Sequence, residues 1–188
     1  NINKNVYLSL YHINYNTNSH SSDSYNLCTY YSEIYAINIY TDSINIAKRN
    51  FENNARKIRY AKLQKLSQKH NFDLIITAHN YNDQIETLIM KDEEGADWVS
   101  FLGIRDLYAS IYRPMLHKAK DDVYAYANKN SLKWIEDPTN KDINYRRNKI
   151  RDLLSKNFYN RKYINRLYQK HVNSTKKMNL FELNFNNI

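Results

Sequence analysis

Ionisable side chains that could take part in catalysis or ligand binding are concentrated in one short stretch, TAHNYNDQIET, at Thr77–Thr87. The apolar run FDLII at Phe72–Ile76 precedes it and is typical of a buried strand, whereas apolar residues at helical spacing follow it. Open α/β sheets bind their ligands at the carboxyl ends of their strands. The order of elements therefore predicts a site that contains His79, Asp83 and Glu86.

The spacing of the two acids limits the chemistry that they can perform. Asp83 and Glu86 are three residues apart, so a helix would present both carboxylates on one face, close enough to share an ammonium group or a metal ion. His79 at the strand end could donate a hydrogen bond to a phosphate. A structural alternative is a solvated acidic face at a helix N-terminus, which the helix dipole favours, with His79 capping that helix.

Composition restricts the class of protein. The chain has 188 residues, 42% of them hydrophobic, which suits one domain with a core. A single cysteine, Cys28, cannot form an internal disulfide and suits a reducing compartment. No apolar run reaches membrane-span length, and no signal peptide is visible. The net charge of +9 favours a polyanionic partner such as nucleic acid, but A/T-rich codons for Asn, Lys, Ile and Tyr explain it equally well.

Predicted strands and helices alternate along the first part of the chain, which is the pattern of a parallel α/β sheet. Strands are predicted within Asn5–Asn14, Tyr35–Thr41, residues 72–78 and Ile111–Leu116, and helices at Ser24–Ile34, Ile44–His70, residues 84–90, Lys118–Asn130 and from Tyr145 onward. Trp134 is expected in the core. We divide the chain near Asn157 into an α/β domain, 1–157, and a basic helical extension, 158–188, which would suit contact with an RNA backbone.

Four blocks, in order, resemble one family. They are FENNARKIRY (Phe51–Tyr60), TAHNYNDQIET, RPML (Arg113–Leu116) and WIEDPTNKDINYRRNKIR (Trp134–Arg151). The corresponding family patterns are E-x-x-A-R-x-x-R-Y, T-A-H-x-x-D-D-Q-x-E-T, R-P-L-L and W-x-E-D-x-S/T-N-x-D-x-x-Y-x-R-N-x-I-R. The chain is thus similar to the tRNA(Ile)-lysidine synthetases, which are N-type ATP pyrophosphatases of the PP-loop superfamily.

This resemblance implies a fold and a reaction. The fold would be a Rossmann-like parallel sheet of the adenine nucleotide alpha hydrolase type. The reaction would be a ligation that uses ATP with Mg²⁺, yields AMP and pyrophosphate, and joins free L-lysine to C2 of the wobble cytidine of tRNA(Ile) through an adenylated intermediate. The expected compartment is the bacterial cytoplasm or an organelle, with no membrane association. The oligomeric state is left open, with a homodimer as one option.

The resemblance also implies roles for matching residues. His79, Asp83 and Glu86 would be catalytic, with the acids holding lysine or a cation. The nucleotide would be bound by His79, Arg56 and Arg59, and the tRNA by Arg113, Arg147, Asn148 and Arg151. No metal ligand is assigned. For several of these residues a structural role is equally open: Arg113 as an ion-pair partner, Asn148 in holding its loop, and the arginines in pairing with nearby acids.

Departures from the family pattern leave rival interpretations open. The family's S-G-G-x-D-S phosphate loop is absent, since the chain has no Gly-Gly pair, and Asn82 replaces the first acid of the D-D pair. The chain is therefore expected to be either a fragment of a working enzyme or a degenerate copy. Rival functions are an inactive tRNA-binding module and another PP-loop enzyme such as a tRNA thiolase, although thiolases usually carry Cys-x-x-Cys pairs.

Overall fold

A computed structural model describes residues 6–16, 21–46 and 51–185. The chain forms two compact units. The first comprises the described parts of residues 1–75 together with residues 131–137, and the second comprises residues 76–130 with the described part of 138–188.

The first unit contains a parallel strand pair joined by a helix. Strand β1 (Ser9–Asn14) leads into helix α1 (Ser21–Tyr35) and strand β2 (Asn38–Ser43), and helix α2 (Phe51–His70) follows. The two strands pair in parallel along their whole length, from Ser9 opposite Asn38 onward. A parallel pair needs a crossover connection, and α1 supplies it. The predicted alternation of strands and helices is confirmed here.

Helix α2 begins later than predicted. The prediction started it at Ile44, but Ile44 donates its backbone N–H to the Asn14 carbonyl at 2.8 Å, so the chain is still aligned with β1 at that point. Ala47, which the prediction put on the buried face of the helix, lies outside the described residues. Ala55, predicted on the same face, is buried.

The predicted burial of Trp134 is wrong, because its side chain is 44% exposed. The Tyr31 hydroxyl donates to the Lys133 carbonyl at 3.0 Å and accepts from the Lys133 N–H at 2.6 Å. These two bonds hold the segment 131–137 against the surface of α1, within the first unit. The indole therefore lies on that surface.

The second unit combines a short three-stranded sheet with, among its described residues, four α-helices. The boundary between the units falls within β3 (Ile75–Ile76). The other elements are α3 (Tyr81–Glu93), β4 (Leu107–Tyr108), β5 (Ile111–Tyr112), α4 (Lys120–Lys129), α5 (Arg146–Ser155) and α6 (Arg161–Phe185). The sheet order is β3-β5-β4, and β4 and β5 form an antiparallel hairpin that the sequence did not predict. The predicted strand at Ile111–Leu116 exists but stops before Arg113.

Helix α3 is the centre of the second unit. Its buried face, Ile85, Leu88 and Ile89, was predicted from the spacing and packs in one cluster with Phe101, with Ile150 of α5 and with Leu167 of α6. Burying each of these large side chains contributes about 1.5–3 kcal/mol. The polar residues of α3 are therefore carried on a helix that is fixed on several sides.

Helix α6 shares this core, and some of its basic residues make contacts inside the unit. Arg166 and Lys170 form ion pairs with Asp92 at 3.2 and 2.7 Å, and Tyr163 donates to the same carboxylate. These side chains secure α6 to the acidic end of α3. The division of the chain near Asn157 remains a prediction.

Candidate functional site

The start of α3 is fixed by a reciprocal pair of hydrogen bonds. The Asn80 side chain accepts from the backbone N–H groups of Asn82 and Asp83, and Asp83 Oδ2 accepts from the Asn80 N–H at 2.9 Å. This capping box ties one oxygen of Asp83 to the backbone. Asn80, not His79, is thus the cap, and His79 Nδ1 instead lies 2.9 Å from Thr77 Oγ1.

Two arginines of α5 face the two acids of α3. Arg151 Nε lies 2.7 Å from Glu86 Oε1, and Arg151 Nη2 lies 3.5 Å from Asp83 Oδ1. Arg147 Nε lies 3.7 Å from Glu86 Oε2, and Arg147 Nη1 lies 4.0 Å from Asp83 Oδ1. Both carboxylates lie on one face of α3, as the spacing predicted, and the groups that face them are two guanidinium groups. The predicted ammonium or metal ion at this position stays a prediction. This four-residue group is called the acid–arginine cluster below.

Glu86 has an unusual environment for a carboxylate. Its side chain is only 3% exposed, and its Oε2 accepts no hydrogen bond from the described part of the chain. Burial raises the pKa of Glu86 above its ordinary value, although the hydrogen bond from Arg151 acts in the opposite direction. An acceptor oxygen that is buried and unsatisfied costs free energy, and a ligand that donates a hydrogen bond would remove that cost.

Asn148 holds the loop that precedes α5. Its side-chain amide donates to the carbonyls of Thr139 and Asp142 at 2.8 and 3.0 Å, and its oxygen accepts from Arg151 Nη1 at 3.3 Å. Arg151 Nη1 also lies 3.4 Å from Asn140 Oδ1, on the 3-10 turn Pro138–Lys141. Of the two roles open to Asn148, these contacts favour holding the loop. The same contacts orient Arg151 toward the acids.

Arg113 has a separate set of contacts. It is buried just after β5, where its Nη1 donates to the Arg105 carbonyl at 2.7 Å and its backbone N–H donates to the Asp106 carbonyl. Its Nε lies in the interior without a hydrogen-bond partner among the described residues. These contacts close the hairpin end and favour a structural role for Arg113, whereas its contact with tRNA stays a prediction.

Arg56 and Arg59 belong to the first unit, whereas the acid–arginine cluster belongs to the second. Both side chains are on exposed positions of α2, and the Arg56 guanidinium lies 5.1 Å from the ring centre of Tyr60. Tyr60 is part of the same sequence block, so the block contains an arginine–tyrosine contact within α2. Nucleotide binding by Arg56 and Arg59 stays a prediction.

Sequence reasoning missed the supporting role of Gln84 and Thr87, although both lie in the quoted stretch. The Gln84 amide accepts from the Ile104 N–H at 2.7 Å and donates to the Ile104 carbonyl at 3.2 Å. Thr87 Oγ1 lies 3.2 Å from Arg147 Nη2. Gln84 therefore anchors a turn, and Thr87 helps to orient one arginine of the cluster. The signal that could have indicated Gln84 is its position, because it is a polar residue four positions before Leu88 on the apolar face of the helix.

The donor set of the cluster does not suit a divalent cation. Its two carboxylates already face two guanidinium groups, whose positive charge opposes Mg²⁺ at the same position. Within the described ranges, no group of three or more His, Cys, Asp or Glu side chains is arranged to hold a metal ion. The same ranges contain no helix of the length and apolar character needed to cross a membrane.

Known proteins resemble this chain in sequence. The tRNA(Ile)-lysidine synthase from Mycoplasma mycoides subsp. mycoides SC is 33% identical to it, over 89% of this chain and 44% of the relative. The one from Anaplasma marginale is 38% identical over 54% of this chain and 22% of its own length. Among these relatives and a third, from Ralstonia nicotianae, the chain spans less than half of the relative's length.

A solved structure has a similar fold. It is the U34-tRNA thiolase NcsA from Methanococcus maripaludis with its [4Fe-4S] cluster, which superposes with a TM-score of 0.68 at 19% identity. The match covers 92% of this chain and 63% of that one. This likeness supports the Rossmann-like, adenine nucleotide alpha hydrolase-like fold that the sequence predicted. Since the sequence profile of the PP-loop domain also matches residues 1–158, this chain belongs to the PP-loop domain family.

Proposed function

We propose that this chain is part of a tRNA(Ile)-lysidine synthetase, which uses ATP to join L-lysine to the wobble cytidine of tRNA(Ile). The observation that carries the proposal is the acid–arginine cluster, in which Asp83 and Glu86 face Arg147 and Arg151. Such a group can bind an ammonium through its acids and phosphate oxygens through its guanidinium groups. The relatives named above support this assignment over other PP-loop reactions.

The two acids have different tasks in this proposal. Lysine arrives with a charged ammonium group, and its nitrogen must lose a proton before it can attack an electrophilic carbon. Glu86 suits the role of proton acceptor, because burial raises the pKa of its carboxyl group above the ordinary value and so makes it a stronger base than an exposed carboxylate. Asp83, which the capping box fixes, suits the role of orienting the ammonium.

Lysine binding in this site requires an exchange of partners. Both carboxylates are paired with guanidinium groups, so an incoming ammonium competes with Arg147 and Arg151. The phosphates of bound tRNA would attract the same arginines, because a guanidinium binds phosphate oxygens in bidentate geometry. We infer that tRNA phosphates draw the arginines away from the acids and so make room for lysine.

Three residues are proposed to bind the nucleotide. His79, Arg56 and Arg59 match the family's nucleotide-binding positions and carry groups that can contact phosphates. The sequence has no Gly-Gly pair, so no phosphate loop is assigned within it. Mg²⁺ is proposed for the reaction of the complete protein only.

The complete gene product provides the test. We expect ATP–pyrophosphate exchange that depends on tRNA(Ile), and incorporation of labelled lysine into that tRNA. Glu86→Gln should abolish lysine incorporation while tRNA binding in a filter assay persists. Asp152→Asn is the matched control, since Asp152 lies on α5 in a surface pair with Lys156. Incorporation that survives Glu86→Gln would refute the assignment of Glu86.

An inactive tRNA-binding module is the alternative of a different class. It predicts salt-dependent tRNA binding by the complete protein without any pyrophosphate exchange. A thiolase is less well supported, because the solved thiolase carries a [4Fe-4S] cluster and this chain has one cysteine with which to ligate iron.

A further inference from the structure

The first unit has an aromatic surface that the proposed reaction does not use. A shallow cavity of about 630 Å³ lies between α1 and the segment 131–137. Its lining includes Asp23, Asn26, Tyr30, Lys133 and Trp134. Cavities of this size hold small ligands such as a nucleoside. Trp134 is the largest side chain of the lining, and its exposed ring forms part of the surface.

This surface is held rigidly. The Tyr31 hydroxyl binds both the N–H and the carbonyl of Lys133, so the backbone next to Trp134 is fixed to α1. The Tyr31 ring in turn stacks on Tyr35, with centroids 6.0 Å apart, and meets the edge of Tyr30 at 5.2 Å. Because the backbone beside Trp134 is already fixed, a ligand that stacks here does not have to order this segment.

A cation completes the arrangement. Lys133 Nζ lies 4.1 Å from the centre of the Tyr30 ring, beside Trp134 in sequence and in the same cavity lining. Asn26 adds an amide that can donate and accept hydrogen bonds. An exposed aromatic ring beside a cation and an amide is the combination that binds an unpaired nucleotide, through stacking, phosphate contact and base-edge hydrogen bonding.

We propose that Tyr30, Lys133 and Trp134 form a stacking site for an unpaired nucleotide of the RNA substrate. The base would stack on Trp134, Lys133 would contact the adjoining phosphate, and Asn26 would contact the base edge. This inference rests on the proposed function, because it takes RNA as the substrate. The chain's net charge of +9 suits a polyanionic ligand.

Tryptophan fluorescence gives a direct test. The chain has two tryptophans, so Trp98→Phe leaves Trp134 as the only indole emitter, and phenylalanine retains a ring against Phe181. The full chain with this substitution is titrated with a single-stranded oligoribonucleotide and with an RNA duplex of the same composition. We expect the single strand to quench Trp134 and the duplex to leave it unchanged, because a stacked base quenches an indole.

Affinity measurements then separate stacking from charge. Trp134→Leu should weaken binding of the single strand about ten-fold. Lys133→Met should weaken it and also reduce its salt dependence, since one phosphate contact is lost. Trp98→Leu is the matched control, because Trp98 also contacts a lysine, Lys177 at 4.2 Å, but lies in the second unit. It should leave the affinity unchanged.

Two results would overturn the proposal, and they differ in what else they overturn. If the unaltered chain binds RNA but Trp134 is not quenched and Trp134→Leu binds equally well, the stacking site is refuted and the proposed function stands. If Trp134→Leu also has a lower thermal stability in that case, the Trp134 ring contributes to packing within the protein and not to RNA binding. If neither the unaltered chain nor the complete gene product binds RNA, the proposed function fails together with the site.

Discussion

Glu86 and Arg151 are 65 positions apart in the sequence, yet Arg151 Nε lies 2.7 Å from Glu86 Oε1. The carboxylate is 3% exposed and the guanidinium 35%, so the pair connects a buried charge to the surface. Burial raises the pKa of Glu86, and the hydrogen bond from Arg151 limits that rise. Arg151 therefore controls how readily Glu86 carries its charge.

Arg151→Gln should destabilise the fold by about 2 kcal/mol at neutral pH, because it leaves a buried carboxylate with less compensation. The pKa of Glu86 is higher in the folded protein than in the unfolded chain, so the protonated carboxyl group contributes stability at low pH. This contribution is lost as the pH rises through the pKa of the folded state. The cost of Arg151→Gln should therefore grow with pH. Urea unfolding of the full chain between pH 4 and 8 measures it.

A double-mutant cycle isolates this interaction. In the Glu86→Gln background, Arg151→Gln should cost little, and its cost should no longer depend on pH. If Arg151→Gln destabilises both backgrounds equally, its effect comes from the contacts with Asn148 and Asn140 and not from Glu86.

Arg147→Met should affect lysine and tRNA in opposite directions. Removing this guanidinium, whose Nε is 3.7 Å from Glu86 Oε2, removes a competitor for the carboxylates. Calorimetric titration with L-lysine should then show about three- to ten-fold tighter binding, equivalent to about 1 kcal/mol. Filter binding of tRNA should weaken, with a smaller salt slope. Weaker lysine binding would instead mean that Arg147 contacts lysine directly.

The sequence predicted one half of the cluster. Asp83 and Glu86 lie on one helix face because the three-residue spacing and the apolar residues Ile85 and Leu88 fix the rotation of α3. The arginines that satisfy them could not be paired from local spacing, because α5 lies about sixty residues further along and is brought close only by the packing of Ile150 in the same core.

Two features were missed for a different physical reason. The hairpin of β4 and β5 turns at Ala109 with φ of 50°, without the Asn-Gly or Asp-Gly pair that usually indicates such a turn. Trp134 was expected in the core because tryptophan is usually buried, but a hydroxyl from α1 holds the neighbouring backbone at the surface. Tertiary contacts decided both cases.

Gly103→Ala should destabilise the second unit by about 3 kcal/mol. Gly103 has φ of 59°, where a side chain adds strain, and a Cβ there would lie 2.7 Å from Oε1 of the buried Gln84. Displacing Gln84 would also break its hydrogen bonds to Ile104. Thermal unfolding monitored by circular dichroism measures the loss.

Gly95→Ala is the matched control for this substitution. Its φ of 61° is nearly the same, but a Cβ there would meet no atom within 4 Å. It should cost only the backbone strain, about 1 kcal/mol. Equal losses for the two variants would show that contact with Gln84 contributes nothing.

Asp92→Asn should loosen α6 from α3 in a pH-dependent way. Burial alone would raise the pKa of Asp92, but hydrogen bonds from Lys170 and Tyr163 outweigh it and leave the pKa lowered. Burial and the Asp92 carboxylate raise the pKa of Tyr163 to about 12, so its hydroxyl remains a donor at neutral pH. A carboxyl group whose pKa is lowered by folding contributes stability at pH values above its pKa in the unfolded chain. This contribution is lost as the pH falls through its pKa in the folded protein.

The expected cost of Asp92→Asn is about 1–2 kcal/mol at neutral pH, and it should shrink below about pH 4. The same substitution should speed hydrogen exchange of the α6 amides at neutral pH, because the ion pairs of Arg166 and Lys170 with Asp92 are lost. Asp152→Asn removes only a surface pair and should change stability by less than about 0.5 kcal/mol. If the cost of Asp92→Asn stayed constant from pH 3 to 8, the ionised carboxylate would not be what secures α6.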